Sequence, residues 1–262
     1  MDTLNALLLG IVQGLTEFLP VSSSGHLVIA QALLGVQPGG GILFEVAVHV
    51  ATLVAIVIFY RARVFQLAHG TFTADPASWR YVSKLVLGTV PAILVALVAR
   101  DWVEQQFESP LVVGVCLLTT GAIVWSTRYT LNRGQHAEPT WLGALIIGCG
   151  QAFAILPGIT RSGTTVAVAL ALGLAPLAAA EFSFLLGVVA IAGAAVLMLP
   201  ELTGLPDALI TTIGFGSIAA LISGLIALWL FVWMLREQRF HIFAWYAWAL
   251  GAAVLVWVGF SG

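Results

Sequence analysis

"GLTEFLPVSSSGHLV", Gly14 to Val28, sets a carboxylate, a proline, three consecutive serines and a histidine between two oily segments. A second island of this kind, "LPGITRSGTT", runs from Leu156 to Thr165. The surroundings make both unusual. Of the 262 residues, 60% are hydrophobic and only 8% are charged, and the mean hydropathy is +1.05. Soluble domains carry about 25% charged residues, so the chain reads as an integral membrane protein. Its net charge is −2 with Lys and Arg scattered, which excludes a basic face for nucleic acid. The start, "MDTLNALLLGIVQG", lacks the basic region of a cleaved signal peptide and is read as part of the fold. Cys116 and Cys149 lie in apolar runs and read as small buried side chains.

Breaks at polar, Pro and Gly clusters leave ten apolar stretches: 4–19, 26–35, 42–60, 82–99, 111–127, 141–156, 163–175, 181–199, 208–235 and 242–260. A full span needs about 20 residues, with a range of 17–25. The third, fourth, fifth, eighth, ninth and tenth qualify. The other four are short and come as two adjacent pairs, each flanking one polar island. Each pair is predicted to form a re-entrant helical hairpin, whose irregular tip must be buried in protein or line a wet cavity.

The chain repeats itself. Gln13 falls on Gln151, an offset of 138, and Ser23-Ser24-Gly25 then falls on Arg161-Ser162-Gly163. Leu19-Pro20 and Leu156-Pro157 match with one residue of slip. "GTVPAILVALVA" from Gly88 aligns with "GSIAALISGLIA" from Gly216, and "TTGAIVWS" lies over "LGAAVLVW". The halves are 1–130 and 138–262 of a single membrane domain, 1–262. Each holds one hairpin and three spans. Three is odd, so the second half is predicted to enter the membrane upside down, an inverted-topology repeat of the transporter type.

Loop charges give an orientation. If each hairpin returns to the side it left, the loops 61–81, 128–140 and 236–241 share one face. With Lys84 at its edge, that face holds Arg61, Arg63, Arg80, Lys84, Arg128, Arg133, Arg236 and Arg239. The termini and the loops 100–110 and 200–207 share the other, which holds only Arg100. The cationic face is predicted to be cytoplasmic, with both termini outside. Trp79, Trp102 and Trp141 sit near span ends and read as interfacial anchors.

Six ionisable residues remain at membrane depth: Glu17, His26, Glu45, His49, Arg161 and Glu181. Such groups cost roughly 2.5–3.5 kcal/mol at a helix centre and usually mark function. The second island offers a fixed guanidinium, the hydroxyls of Thr160, Ser162, Thr164 and Thr165, and the small Gly158 and Gly163 at a helix start, which together suit an anion. Arg161 could instead pair with Glu17 or Glu181 and simply hold the hairpins together. In the first island, Ser22 or Ser23 can share a helical face with His26, a hydroxyl beside a candidate base. One of Ser22, Ser23 and Ser24 is expected to be the N-cap. Gln13 and Glu17, four apart, could hold Mg²⁺ or Ca²⁺ against a phosphate. Glu45 and Glu181 open equivalent helices and are further candidates, and His49, four residues from Glu45, reads equally well as structural.

The motifs "GLTEFLPVSSSGH" and "LPGITRSGTT", together with "AEFSFLL" at Ala180–Leu186, strongly resemble the signatures of the bacterial undecaprenyl-diphosphatase family, also called bacitracin-resistance proteins. The resemblance covers essentially the whole chain. It implies six spans plus two re-entrant hairpins in the bacterial inner membrane, opening on the external side. It also implies hydrolysis of undecaprenyl diphosphate to undecaprenyl phosphate and phosphate, which recycles the carrier lipid for peptidoglycan, with a divalent cation. Membrane lipids and a second copy of the chain are the other partners it allows. By position, the family's metal-binding pair falls on Gln13 and Glu17, its serine–histidine element on Ser23 and His26, and its arginine and downstream threonine on Arg161 and Thr165. Gln13 departs from a glutamate found in many members, and Thr160 from a common serine. The nucleophile stays open among Ser23, His26 and water. A polyprenyl-phosphate flippase is the alternative function, since broken helices in an inverted repeat are also transporter architecture.

Overall fold

A computed structural model describes residues 2–36, 42–107, 109–198 and 207–261. Twelve α-helices follow in order among them: α1 (Thr3–Phe18), α2 (Ser23–Leu34), α3 (Ile42–Phe59), α4 (Arg61–Phe72), α5 (Pro76–Val98), α6 (Arg100–Phe107), α7 (Pro110–Ser126), α8 (Trp141–Phe153), α9 (Arg161–Ala171), α10 (Pro176–Met198), α11 (Asp207–Arg236) and α12 (Phe243–Ser261). Ten of them fall on the ten apolar stretches. Helices α4 and α6 are additions, because their polar composition hides them from a hydropathy reading. Helix α4 turns off α3 at 85°.

Among the described residues, five helices are long and apolar enough to cross a membrane by themselves, α5, α7, α10, α11 and α12; α3 taken with α4 gives a sixth. The chain is an all-α integral membrane protein. Helices α1, α2, α8 and α9 are shorter. At 1.5 Å per residue, the 13 residues of α8 and the 11 of α9 reach about 20 Å and 17 Å against a hydrocarbon core of about 30 Å. Where α8–α9 begins and ends is fixed by backbone bonds. The N–H groups of Gln135 and His136 donate to the Gly173 carbonyl at 3.0 Å, and the Ala175 N–H donates to the His136 carbonyl at 2.9 Å. The chain therefore leaves α9 beside the point where it entered α8.

Small residues set the closest packing, as is usual between helices in lipid. Helix α1 lies along α11, and α8 lies along α5. A methyl group added at Gly10 would stand 2.2 Å from the Gly216 carbonyl oxygen, and one at Gly148 would stand 2.2 Å from that of Gly88. In the internal alignment Gly10 corresponds to Gly148 and Gly88 to Gly216, so the two contacts exchange under the repeat.

The cationic loops meet at one end of the molecule. Arg80 and Lys84 both reach Glu138, at 3.6 and 3.4 Å, and Arg63 reaches Glu181 at 2.9 Å. From this end a row of edge-to-face rings, Phe240, Phe231, Phe184 and Phe18, runs inward to the end of α1. Each such pair contributes about 0.5–1.5 kcal/mol beyond its buried area. Residues 199–206, which include most of the predicted loop 200–207, together with Met1 and Gly262, lie outside the described residues.

Candidate active site

The first tip is built by Leu19–Val21 and a serine cap. Ser22 takes φ = 69°, a left-handed conformation that costs a non-glycine residue about 1–3 kcal/mol, and its Oγ accepts the Gly25 N–H at 3.4 Å. Ser22 is thus the N-cap of α2, with its hydroxyl 3.3 Å from Ser24 Oγ. Ser23, one residue on, is left free to turn toward α1. Its hydroxyl donates to Glu17 Oε2 at 2.7 Å.

The second tip turns at Gly158, where φ = 96° and an added methyl would lie 2.5 Å from the Val113 carbonyl oxygen. Thr120 of α7 pins this turn. Its hydroxyl donates to the Gly158 carbonyl at 2.7 Å and accepts the Thr160 N–H at 3.0 Å. Thr160 caps α9 by accepting the Gly163 N–H. Ser162 donates to the Phe18 carbonyl at 2.8 Å, which ties one tip to the end of the other hairpin. Gly163 serves the same junction, since a methyl there would meet Pro20 Cβ at 2.9 Å. Thr165 bonds the Arg161 carbonyl and the Ser183 hydroxyl. The hydroxyls of Ser162 and Thr165 are thereby spent on holding the tip.

The two tips converge on Glu17. Its Oε1 accepts from Arg161 Nη2, and its Oε2 accepts from Ser23 and, at 3.0 Å, from Gln13 Nε2. His49 Nε2 of α3 stands 3.8 Å from Oε2. The pairing of Arg161 with Glu17, one of the two sequence alternatives, is the one realised. The guanidinium also needs α10 to stay small, because a methyl at Gly187 would fall 1.7 Å from Arg161 Nη1. A cavity of about 240 Å³ opens over this cluster. Glu17, Ser23, Ser24, His49, Thr160 and Arg161 line it, with Gln151 of α8 and Phe107 of α6.

One expected pairing is not formed. His26 does not bond the Ser22 or Ser23 hydroxyl: its Nδ1 meets the Ser22 carbonyl at 2.7 Å, and its Nε2 meets the Tyr246 hydroxyl at 2.8 Å. The ring stacks on Tyr246 and is not among the cavity residues. The reason is helical geometry: Ser23 stands at the first position of α2 and turns toward α1, while His26 faces α12. The histidine that does line the cavity is His49. Glu45 accepts from Gln31 at 3.0 Å, and Glu181 bonds Arg63 and Tyr81, so neither carboxylate lines the cavity.

The chain matches the family described as "Bacitracin resistance protein BacA" over residues 6–253, which includes both tips. It belongs to the BacA family. Curated relatives named "Undecaprenyl-diphosphatase" are similar along their length. That of Carboxydothermus hydrogenoformans is 39% identical over 98% of this chain and 97% of its own. That of Methanococcus maripaludis strain C5 is 38% identical over 96% and 99%. The Desulfatibacillum aliphaticivorans protein is 37% identical over 98% and 99%.

Within this BacA-family chain, sequence reasoning missed three contributors. Gln151 lines the cavity with an amide that no protein group satisfies; its position as the repeat mate of Gln13 was the available signal. Thr120 and Gly187 act through contacts 38 or 40 and 26 residues away, and no local pattern announces them. For a cation, the described residues hold no cluster of three His, Cys, Asp or Glu. Glu17 and Gln13, whose Oε1 is buried and unpartnered while its Nε2 faces the carboxylate, nonetheless carry oxygen donors of the kind a hard cation takes.

Proposed function

We propose that this protein hydrolyses undecaprenyl diphosphate to undecaprenyl phosphate and inorganic phosphate, recycling the lipid carrier of cell-wall synthesis and so conferring bacitracin resistance. The observation that carries this reading is the Arg161–Glu17–Ser23 chain of contacts lining a polar cavity among apolar helices. A diphosphate head brings negative charge to the guanidinium and to the first N–H groups of α9, which have no acceptors within the helix. Phosphoryl transfer depends mainly on positioning and electrostatics, so these donors supply much of the rate.

Ser23 is the nucleophile in this reading, and Glu17, already accepting its proton, is the base. Ser23 Oγ attacks the terminal phosphorus as its proton passes to Glu17. The bond to the bridging oxygen breaks and prenyl monophosphate leaves. Water then displaces inorganic phosphate from the serine. His49, beside Glu17, orients the carboxylate. Glu17 and Gln13 would hold a divalent cation, Mg²⁺ or Ca²⁺, completed by substrate and water oxygens. When bound, it neutralises charge on the phosphates.

The site is assigned to the external side of the bacterial inner membrane. Phe107 of α6 lines the cavity, and α5 separates α6 from the loops that carry the cationic side chains. Those loops belong inside. The inverted repeat is supported by the paired Gly10–Gly216 and Gly148–Gly88 contacts.

Phosphate release from prenyl diphosphate in detergent, with and without EDTA, tests the reading. Release that EDTA suppresses and Arg161→Ala abolishes is expected. A protein that releases none but moves prenyl phosphate between leaflets of a vesicle would be a flippase.

A further inference from the structure

The cavity over Glu17 adjoins a second void. A groove of about 400 Å³ lies between α5, α6 and α8, lined by apolar side chains that include Pro91, Val95, Trp102, Val103 and Phe153, with Cys149. Ile155 lines both voids. Along α8 the lining changes sides within three residues: Gln151 belongs to the polar cavity, and Ala152 and Phe153 belong to the groove. Cys149 is exposed there, where the sequence reading expected it buried.

Gln151 stands at this junction in an unusual state. It is 3% exposed, yet neither Nε2 nor Oε1 has a partner. Leaving a buried polar group unmade costs about 1–3 kcal/mol, so the amide awaits a ligand. Its repeat mate is committed, because Gln13 Nε2 already donates to Glu17. The repeat also shows what has changed. The pair Gln13–Glu17 of the first half corresponds to Gln151–Ile155 in the second, with an apolar side chain where the first half has its acid. One copy thus offers an amide with a carboxylate, and the other an amide with a wall that leads into oil.

Building on the hydrolase reading above, we propose that the prenyl monophosphate half of the substrate lies across this junction. Gln151 Nε2 donates to the phosphate that stays on the lipid, and the first isoprene units occupy the α5–α6–α8 groove. The terminal phosphate is left to Arg161 and Ser23. The same subsite holds the lipid product, so prenyl monophosphate inhibits through Gln151 and inorganic phosphate does not. The neutral amide suits this role, since it donates without drawing the charged terminal phosphate away from Arg161.

The test uses the full chain in detergent, with undecaprenyl diphosphate and a short-chain prenyl diphosphate as substrates. Undecaprenyl phosphate and inorganic phosphate serve as inhibitors. Gln151→Leu is expected to raise KM and to weaken inhibition by undecaprenyl phosphate about tenfold, the equivalent of one lost hydrogen bond to a charged group. Inhibition by inorganic phosphate should not change. Alkylating Cys149 of the wild-type protein with a bulky maleimide should lower turnover of the long chain relative to the short one. A Cys149→Ser protein should show no change in that ratio on treatment. Equal effects of Gln151→Leu on both inhibitors, or a chain-length ratio that alkylation does not move, overturn the subsite while leaving the hydrolase reading intact. No phosphate release by the wild type from either substrate overturns the hydrolase reading, and the subsite with it.

Discussion

Glu17 and Arg161, 144 residues apart in sequence, join the tips of the two hairpins through one carboxylate–guanidinium contact. Each is held by further groups: Glu17 by Gln13 and Ser23, Arg161 by its seat against Gly187. The same contact thus closes the fold at its centre and defines the polar floor of the cavity.

Removing one member leaves the other charge stranded. Glu17→Ala is expected to destabilise the protein by about 3–5 kcal/mol, as for other broken buried pairs. The Glu17→Ala/Arg161→Ala double variant should lose less than the sum of the singles, with a coupling of about 0.5–3 kcal/mol. Reversible denaturation in mixed micelles measures both. Strictly additive losses would mean that the contact contributes nothing to stability.

Gly187 offers a way to move the guanidinium without deleting it. A methyl there overlaps Arg161 Nη1, so Gly187→Ala should displace the side chain while leaving the tip hydrogen bonds made by Thr120, Thr160 and Ser162 in place. The expected result is a fall in kcat of about 10²-fold or more, comparable to losing one transition-state donor. Steady-state phosphate release from a folded, monodisperse preparation checks it.

Thr120 tests how the second tip is held. Thr120→Val keeps the shape but leaves the Gly158 carbonyl and the Thr160 N–H without their partner. Each unsatisfied buried group costs about 1–3 kcal/mol. Lower thermal stability together with faster proteolysis near residue 158 is expected.

Outside the membrane-spanning segments, Asp75 caps α5. Hydrogen bonds from the Ser78 hydroxyl and N–H hold its carboxyl below the ordinary carboxylate range. A depressed folded pKa means that the stabilisation is present above the unfolded value and is lost as pH falls through the folded one. Wild type and Asp75→Asn should therefore differ in stability at neutral pH and converge in acid. A constant difference between them from neutral pH down to strong acid would exclude this role for the carboxylate.

The sequence carried the helices and the two islands because both are local signals: apolar run length for the one, polar residues in an oily context for the other. Helices α4 and α6 escaped for the converse reason, being short and polar at the ends of spans. The Ser23–His26 pairing was misread because a spacing of three places two side chains on one face only within a regular helix. Ser23 stands at the first position of α2, beside a strained Ser22, and turns toward Glu17 instead. His49 could not be ranked above His26 from sequence, since its approach to Glu17 depends on how α3 packs against α1.

The central claim is that Ser23, activated by Glu17, takes the phosphoryl group. The most direct measurement is rapid quench in SDS at mildly alkaline pH, which preserves both phosphoserine and phosphohistidine, of the enzyme mixed with terminally labelled prenyl diphosphate, followed by peptide mapping of retained label at the same pH. Label on Ser23, absent from Ser23→Ala and undiminished in rate by His26→Phe, is the predicted result. Label on His49 or His26, or full single-turnover activity in Ser23→Ala, would contradict the claim.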